Sequence, residues 1–134
     1  MNLHEGLIMT MVLAAATDRN LSRAEQKRLR DLVAHLPVFT DFEPKNLARV
    51  CESCAATLAG DNGIDRAARL IKKAVPKRFG PTAYTIACDM LAADGRIGDI
   101  EVGLLDMLAD LFSIDSLSCA AIEMASRARY ATPA

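Results

Sequence analysis

Tryptophan is absent and aromatic residues make up only 4% of the chain. The core therefore has to be built from Ala, Leu, Ile, Val and Met, a composition that suits closely packed helices. No apolar run approaches the roughly 20 residues that a bilayer-spanning helix needs, so membrane insertion is not expected. Charge of one sign is missing as well: 16 basic and 17 acidic side chains leave a net charge of −1. That balance gives no global electrostatic case for binding nucleic acid or a membrane surface. Base is concentrated only between residues 65 and 78, where Arg66, Arg69, Lys72, Lys73, Lys77 and Arg78 stand against Asp65. A solvated helix face explains such a run. No aromatic platform is interleaved there, which argues against single-stranded nucleic acid.

Cysteine is too sparse for a disulfide framework, and its spacing is wrong for zinc. Cys51 and Cys54 form a C-x-x-C, but Leu47, Val50, Cys51, Cys54 and Leu58 fall at offsets 0, 3, 4, 7 and 11, the signature of one buried helix face. Cys88 lies on a similar stripe with Tyr84, Ala87 and Leu91. Cys51, Cys54 and Cys88 are expected to be reduced and buried, acting as small hydrophobes. Cys119, His4 and His35 are isolated and supply no second ligand pair. The apolar stretch from Leu7 to Ala16 lacks the positive flank of a signal peptide, with only His4 and Glu5 before it. It reads as mature structure, and the chain as cytoplasmic.

What is present is 51% hydrophobic residues in 134, enough for one domain with a real core over residues 1–134. The periodicity predicts an all-α bundle of about seven helices, near residues 2–17, 22–36, 44–60, 64–75, 81–94, 99–112 and 116–130. The first helix is expected to bury a face of Ile8, Met11, Val12 and Ala15, and the second a stripe of Leu29, Leu32, Val33 and Leu36. Ser22-Arg23-Ala24-Glu25 has the form of a capping box. Pro44 and Pro81 suit the start of a helix, and Gly95 suits a left-handed cap after the fifth.

An internal repeat is the most informative feature. Shifted by 76 residues, Ala16 falls on Ala92, Asp18 on Asp94, Leu21 on Ile97 and Glu25 on Glu101. Leu29 falls on Leu105, Leu32 on Leu108 and Leu36 on Phe112, with no gap. The halves span about residues 2–36 and 78–112, related by pseudo-twofold symmetry. Each carries a helix, a corner reading D-x-x-[L/I]-x-x-x-E, and a second helix.

Each corner sets an Asp at the end of one helix and a Glu in the first turn of the next. First-turn Glu suits the positive end of a helix and closes a capping box. Asp at the C-terminal end faces the negative end of the dipole, at a cost of about 0.3–1 kcal/mol. A bound cation explains its presence at both corners; a loop-stabilising Asx turn is the alternative. Asp94 to Glu101 matches the second half of a calcium-binding EF-hand loop, but Met90 and Ala92 stand where its first ligands belong, and Arg19 replaces the turn glycine in the other corner. Neither corner is a complete loop. Asp18, Glu25, Asp94 and Glu101 brought together would form a hard-cation site for calcium or magnesium.

The phrase Leu91-Ala92-Ala93-Asp94-Gly95-Arg96-Ile97, followed by Glu101, resembles the repeated A-D-G-x-[I/V]-[S/T]-x-x-E signature of the tellurite-resistance TerB family and the wider TerB-like domains. Ala16 to Glu25 resembles it more loosely, with Arg19 in place of Gly; in the second copy Gly98 replaces Ser. The resemblance implies an all-helical fold with pseudo-twofold halves, a weak metal site on Asp18, Glu25, Asp94 and Glu101, and a role in bacterial stress responses with a protein partner. Some relatives join such a domain to a J-domain, but no His-Pro-Asp motif occurs here. With no P-loop or G-x-S-x-G present, the expectation is a non-enzymatic, cation-binding module. The alternative is an interaction domain whose acids only cap helices, and a metal-dependent hydrolase ranks third.

Overall fold

The computed structural model describes residues 1–15, 21–93 and 103–133 in full, together with the backbone of 99–102. Seven α-helices and three short 3-10 turns make up its regular structure, and no strand is found among the described residues. The helices are α1 (Leu3–Ala15), α2 (Arg23–His35), α3 (Leu47–Ala59), α4 (Gly63–Ala74), α5 (Gly80–Ala92), α6 (Asp99–Phe112) and α7 (Ser116–Arg129). This is the expected all-α, single-domain bundle. Pro44 does not open α3 directly: it begins a 3-10 turn, Pro44–Asn46, and α3 follows at Leu47.

The middle of the bundle is the pair α1 and α5. α1 packs on α5, α4 and α3, while α5 also carries α7, α6 and α2. Placement at the centre changes how these two helices are buried. Every residue of α1 from Gly6 to Ala15 is buried, not just the face of Ile8, Met11, Val12 and Ala15 expected of an amphipathic helix. A helix with neighbours on several sides needs apolar side chains all round, and the sequence of α1 supplies them. Its one buried hydroxyl, Thr10 Oγ1, donates back to the Gly6 carbonyl at 2.9 Å and is thereby satisfied. Gly6 is needed where α1 meets α4, because a Cβ there would lie 2.8 Å from both Ala74 Cβ and Val75 Cγ2.

The outer helices are amphipathic in the ordinary way. α2 buries Leu29, Leu32 and Val33 as the stripe predicts, while Leu36, its C-cap, is half-buried. Register-matched positions agree across the repeat: Leu29 and Leu105 are both buried, as are Leu32 and Leu108. Moved by 76 residues, Leu3–Ala15 lies one residue from the bounds of α5, and Arg23–His35 begins with α6.

All four cysteines are free thiols. Cys54 and Cys88 are buried as expected, but Cys51 is only half-buried. It faces a trough between α2 and α3, which Val12 of α1 also lines. The apolar stripe on α3 is thus not wholly covered by its own chain.

Candidate site at the helix corners

The site is built where α1 hands over to α2 and α5 to α6. Of the four acids expected there, Asp18 and Asp94 lie outside the described residues, as does the side chain of Glu101 and the expected cap Gly95. Glu25 is described. Its Oε1 accepts from the Ser22 N–H at 2.8 Å, and its own N–H donates to Ser22 Oγ at 3.1 Å. This is the reciprocal capping box, and it holds the carboxylate 5% exposed at the first turn of α2. Glu25 thus has a structural task whatever else it does.

One contact joins two helices that flank the corners. Arg28, one turn after Glu25, donates from Nη1 to the Asp89 carbonyl at 2.7 Å. Asp89 is in the last turn of α5, where the final four carbonyls lack helical partners. The next amide, Ala93 N–H, turns to Met90 in a 3-10 bond instead. Arg28 therefore caps α5, and its charge suits the negative end of that helix. The cap ties the beginning of α2, just past the first corner, to the end of α5, just before the second.

Asp89 itself was not anticipated. It is 3% exposed, and its Oδ1 accepts from Ser126 Oγ at 2.9 Å and from Arg129 Nη2 at 2.7 Å. The carboxylate beside Arg129 holds that guanidinium's pKa above its ordinary value, chiefly through the hydrogen bond. Arg28 lies 3.6 Å over the Tyr130 ring, so α2, α5 and the end of α7 share one polar knot. A signal for it existed: Asp89 is the one charged residue in Gly80–Ala92. A lone acid in a helix that is otherwise uncharged demands a partner when buried.

A second polar pair lies on the same seam. Tyr84 Oη donates to Glu123 Oε2 at 2.9 Å. Burial, followed by this bond, pushes the Tyr84 pKa up. Among the described residues no group of three or more His, Cys, Asp or Glu is placed to hold a metal. His4 Nε2 pairs with the Val38 carbonyl at 2.9 Å and packs beside Phe39 and Phe42, while His35 Nδ1 pairs with the Asp31 carbonyl at 2.8 Å. Both rings have structural surroundings.

The family described as tellurite resistance protein TerB matches residues 4–124, nearly the whole described bundle. The chain belongs to the TerB family. No curated protein and no solved structure matches it. For this TerB chain the matched span runs from the first turn of α1 into α7 and includes both corners. No helix among its described residues is long and apolar enough to cross a membrane.

Proposed function

We propose that this TerB-family chain is a non-enzymatic module of a bacterial stress response of the tellurite-resistance type. It binds calcium or magnesium weakly through Asp18, Glu25, Asp94 and Glu101, and works in the cytoplasm with a protein partner. The observation that supports the reading is the Arg28 cap on α5, which joins the start of α2, just after the first acid-bearing corner in the chain, to the end of α5, just before the second. Four carboxylates brought together near that cap would repel one another when ionised. A divalent ion would supply the compensating positive charge, and an all-oxygen donor set suits a hard cation. Glu25 fits that set in part. Its Oε1 already accepts from the Ser22 amide, which leaves fewer lone pairs for an ion. Incomplete loops and one half-committed acid both point to modest affinity.

A second reading is favoured by a separate observation. The trough between α2 and α3, about 850 Å³, is walled by Leu29, Leu47, Cys51 and Leu58, with Gln26, Arg30 and Glu52 at its rim. An apolar trough with a polar rim suits the apolar face of a partner's helix. On this reading the corner acids only cap helices.

Calorimetric titration of the full chain with calcium and with magnesium separates the two. Saturable heat and a raised Tm are expected for the wild type, by mass action on the folded state. Both should disappear in Asp94→Ala/Glu101→Ala. Glu25→Gln keeps an acceptor for the Ser22 amide while removing one charge, so it should weaken binding without loosening α2. Identical heats and identical Tm shifts in wild type and double variant would leave the acids a structural role and favour the interaction domain.

A further inference from the structure

α7 sets Cys119 and Ile122 against the core, but its inward side also carries polar groups: Ser126 bonds to Asp89, and Glu123 accepts from Tyr84. One strip of its outward side is apolar. Leu117 is 79% and Met124 68% exposed, two of four large hydrophobic side chains so exposed among the described residues. Ala121 and Ala128 are exposed as well. Leu117, Ala121, Met124 and Ala128 follow a spacing of 4, 3 and 4 residues, the seam of a two-helix coil. A solvent-facing helix side normally carries the polar residues. Here the core contacts account for Glu123 and Ser126, and Leu117, Ala121, Met124 and Ala128 stay exposed among the described residues.

We infer that α7 is the contact between two copies of this chain, paired antiparallel about a twofold axis between residues 122 and 123. The order of side chains selects that arrangement. In the antiparallel register Leu117 faces Ala128 of the second copy, and Ala121 faces its Met124. All four layers then set one large side chain against one alanine, the alternation that fills a seam without voids. In a parallel pair Leu would meet Leu and Met would meet Met, while Ala would meet Ala across a gap. Charge selects it too. α7 starts at its N-cap Asp115 and ends with Arg127 and Arg129. Antiparallel pairing lays the basic end of each helix beside the acidic end of the other, with Arg127 and Asp115 about 5 Å apart along the axis. Parallel pairing stacks like charges. The same patch used by both copies closes the assembly at two.

The 14-residue helix α7 is about 21 Å long, so the seam is shorter than a standard interface needs. The dimer is therefore weak, as small transient interfaces are. Sedimentation velocity of the full chain should show a monomer at low micromolar concentration and a dimer near millimolar. Leu117→Glu/Met124→Glu should raise the Kd at least about tenfold, as should the milder Leu117→Ser/Met124→Gln. Both pairs are exposed, and circular dichroism checks that the helices remain. Orientation is read by a short bismaleimide in a Cys51→Ser background. Across the axis two copies of residue 121 are about 4.5 Å apart lengthwise, and two copies of residue 128 about 16 Å. Ala121→Cys should cross-link and Ala128→Cys should not. A monomer at every concentration overturns the inference. So does association that survives both pairs of substitutions, growth beyond two copies, or equal cross-linking at both positions.

Discussion

Replacing Asp89 tests how α7 and α2 are held to the central helix. The carboxylate is 3% exposed and accepts two hydrogen bonds on one oxygen, from Ser126 at 2.9 Å and Arg129 at 2.7 Å. Asp89→Ala removes both hydrogen bonds at once. The Ser126 hydroxyl, in a residue 2% exposed, is then left unsatisfied at a cost of about 1–3 kcal/mol. Arg129 is different. Its side chain is 47% exposed, so the guanidinium returns to water and the charged bond is worth only about 1 kcal/mol. A small cavity adds to this. The expected loss for Asp89→Ala is about 2–4 kcal/mol, large against the 5–15 kcal/mol of a typical domain. Asp89→Asn keeps an acceptor for Ser126 and should cost about 1–2 kcal/mol. Arg28 bonds to the backbone carbonyl of residue 89, so neither substitution removes its partner. Urea unfolding followed by circular dichroism measures all three chains. If Asp89→Ala costs no more than Asp89→Asn, the Ser126 hydroxyl is not held as described, and the account of α7 docking through its polar face is refuted.

Three further outcomes are expected. Burial pushes the thiols of Cys54 and Cys88 up to about 12 from an ordinary 9.0, and also raises Cys51; because the thiolate is the nucleophile, iodoacetamide at pH 8 should label half-buried Cys51 first and the other three cysteines only on unfolding, as mass spectrometry of the labelled chain would show. A thiol whose folded pKa is raised favours the folded state below its unfolded pKa, so stability should fall as pH rises from about 9 toward about 12, and a flat urea midpoint across that window would contradict it. Ser113 ends α6 with φ 54, while the Ile114 amide reaches back to the Ala109 carbonyl at 2.9 Å; Ser113→Gly should raise stability by about 0.5–1 kcal/mol, since glycine takes that left-handed cap without strain, and a lowered Tm would show that the serine side chain matters there.

The helices were legible because their signals are local. Ser22 and Glu25 announce a capping box within four residues, and the box forms. The stripe of Leu29, Leu32 and Val33 has the helical period, and those three residues are buried. The family phrase around Asp94 was equally local, and the match over residues 4–124 bears it out. Periodicity says which residues on a helix share a side; it does not say how many sides will be covered. For α1 that number was set by its place among α3, α4 and α5, so a stripe was expected where the whole helix is buried. For α3 the error ran the other way, since Cys51 sits on a proper stripe that faces a trough. Asp89 shows the same division. The sequence by itself determined that an acid stands in an uncharged helix. Only the tertiary structure decided its partners, because Arg28, Ser126 and Arg129 lie between 37 and 61 residues away and meet it through the docking of α2 and α7 on α5. On α7 the chain order determined an apolar seam, but which side of the helix faces solvent was decided by the docking of Cys119 and Ile122 on the core and by Tyr84 and Asp89. Their buried polar atoms need partners that Glu123 and Ser126 supply, and meeting that need turns Leu117 and Met124 outward.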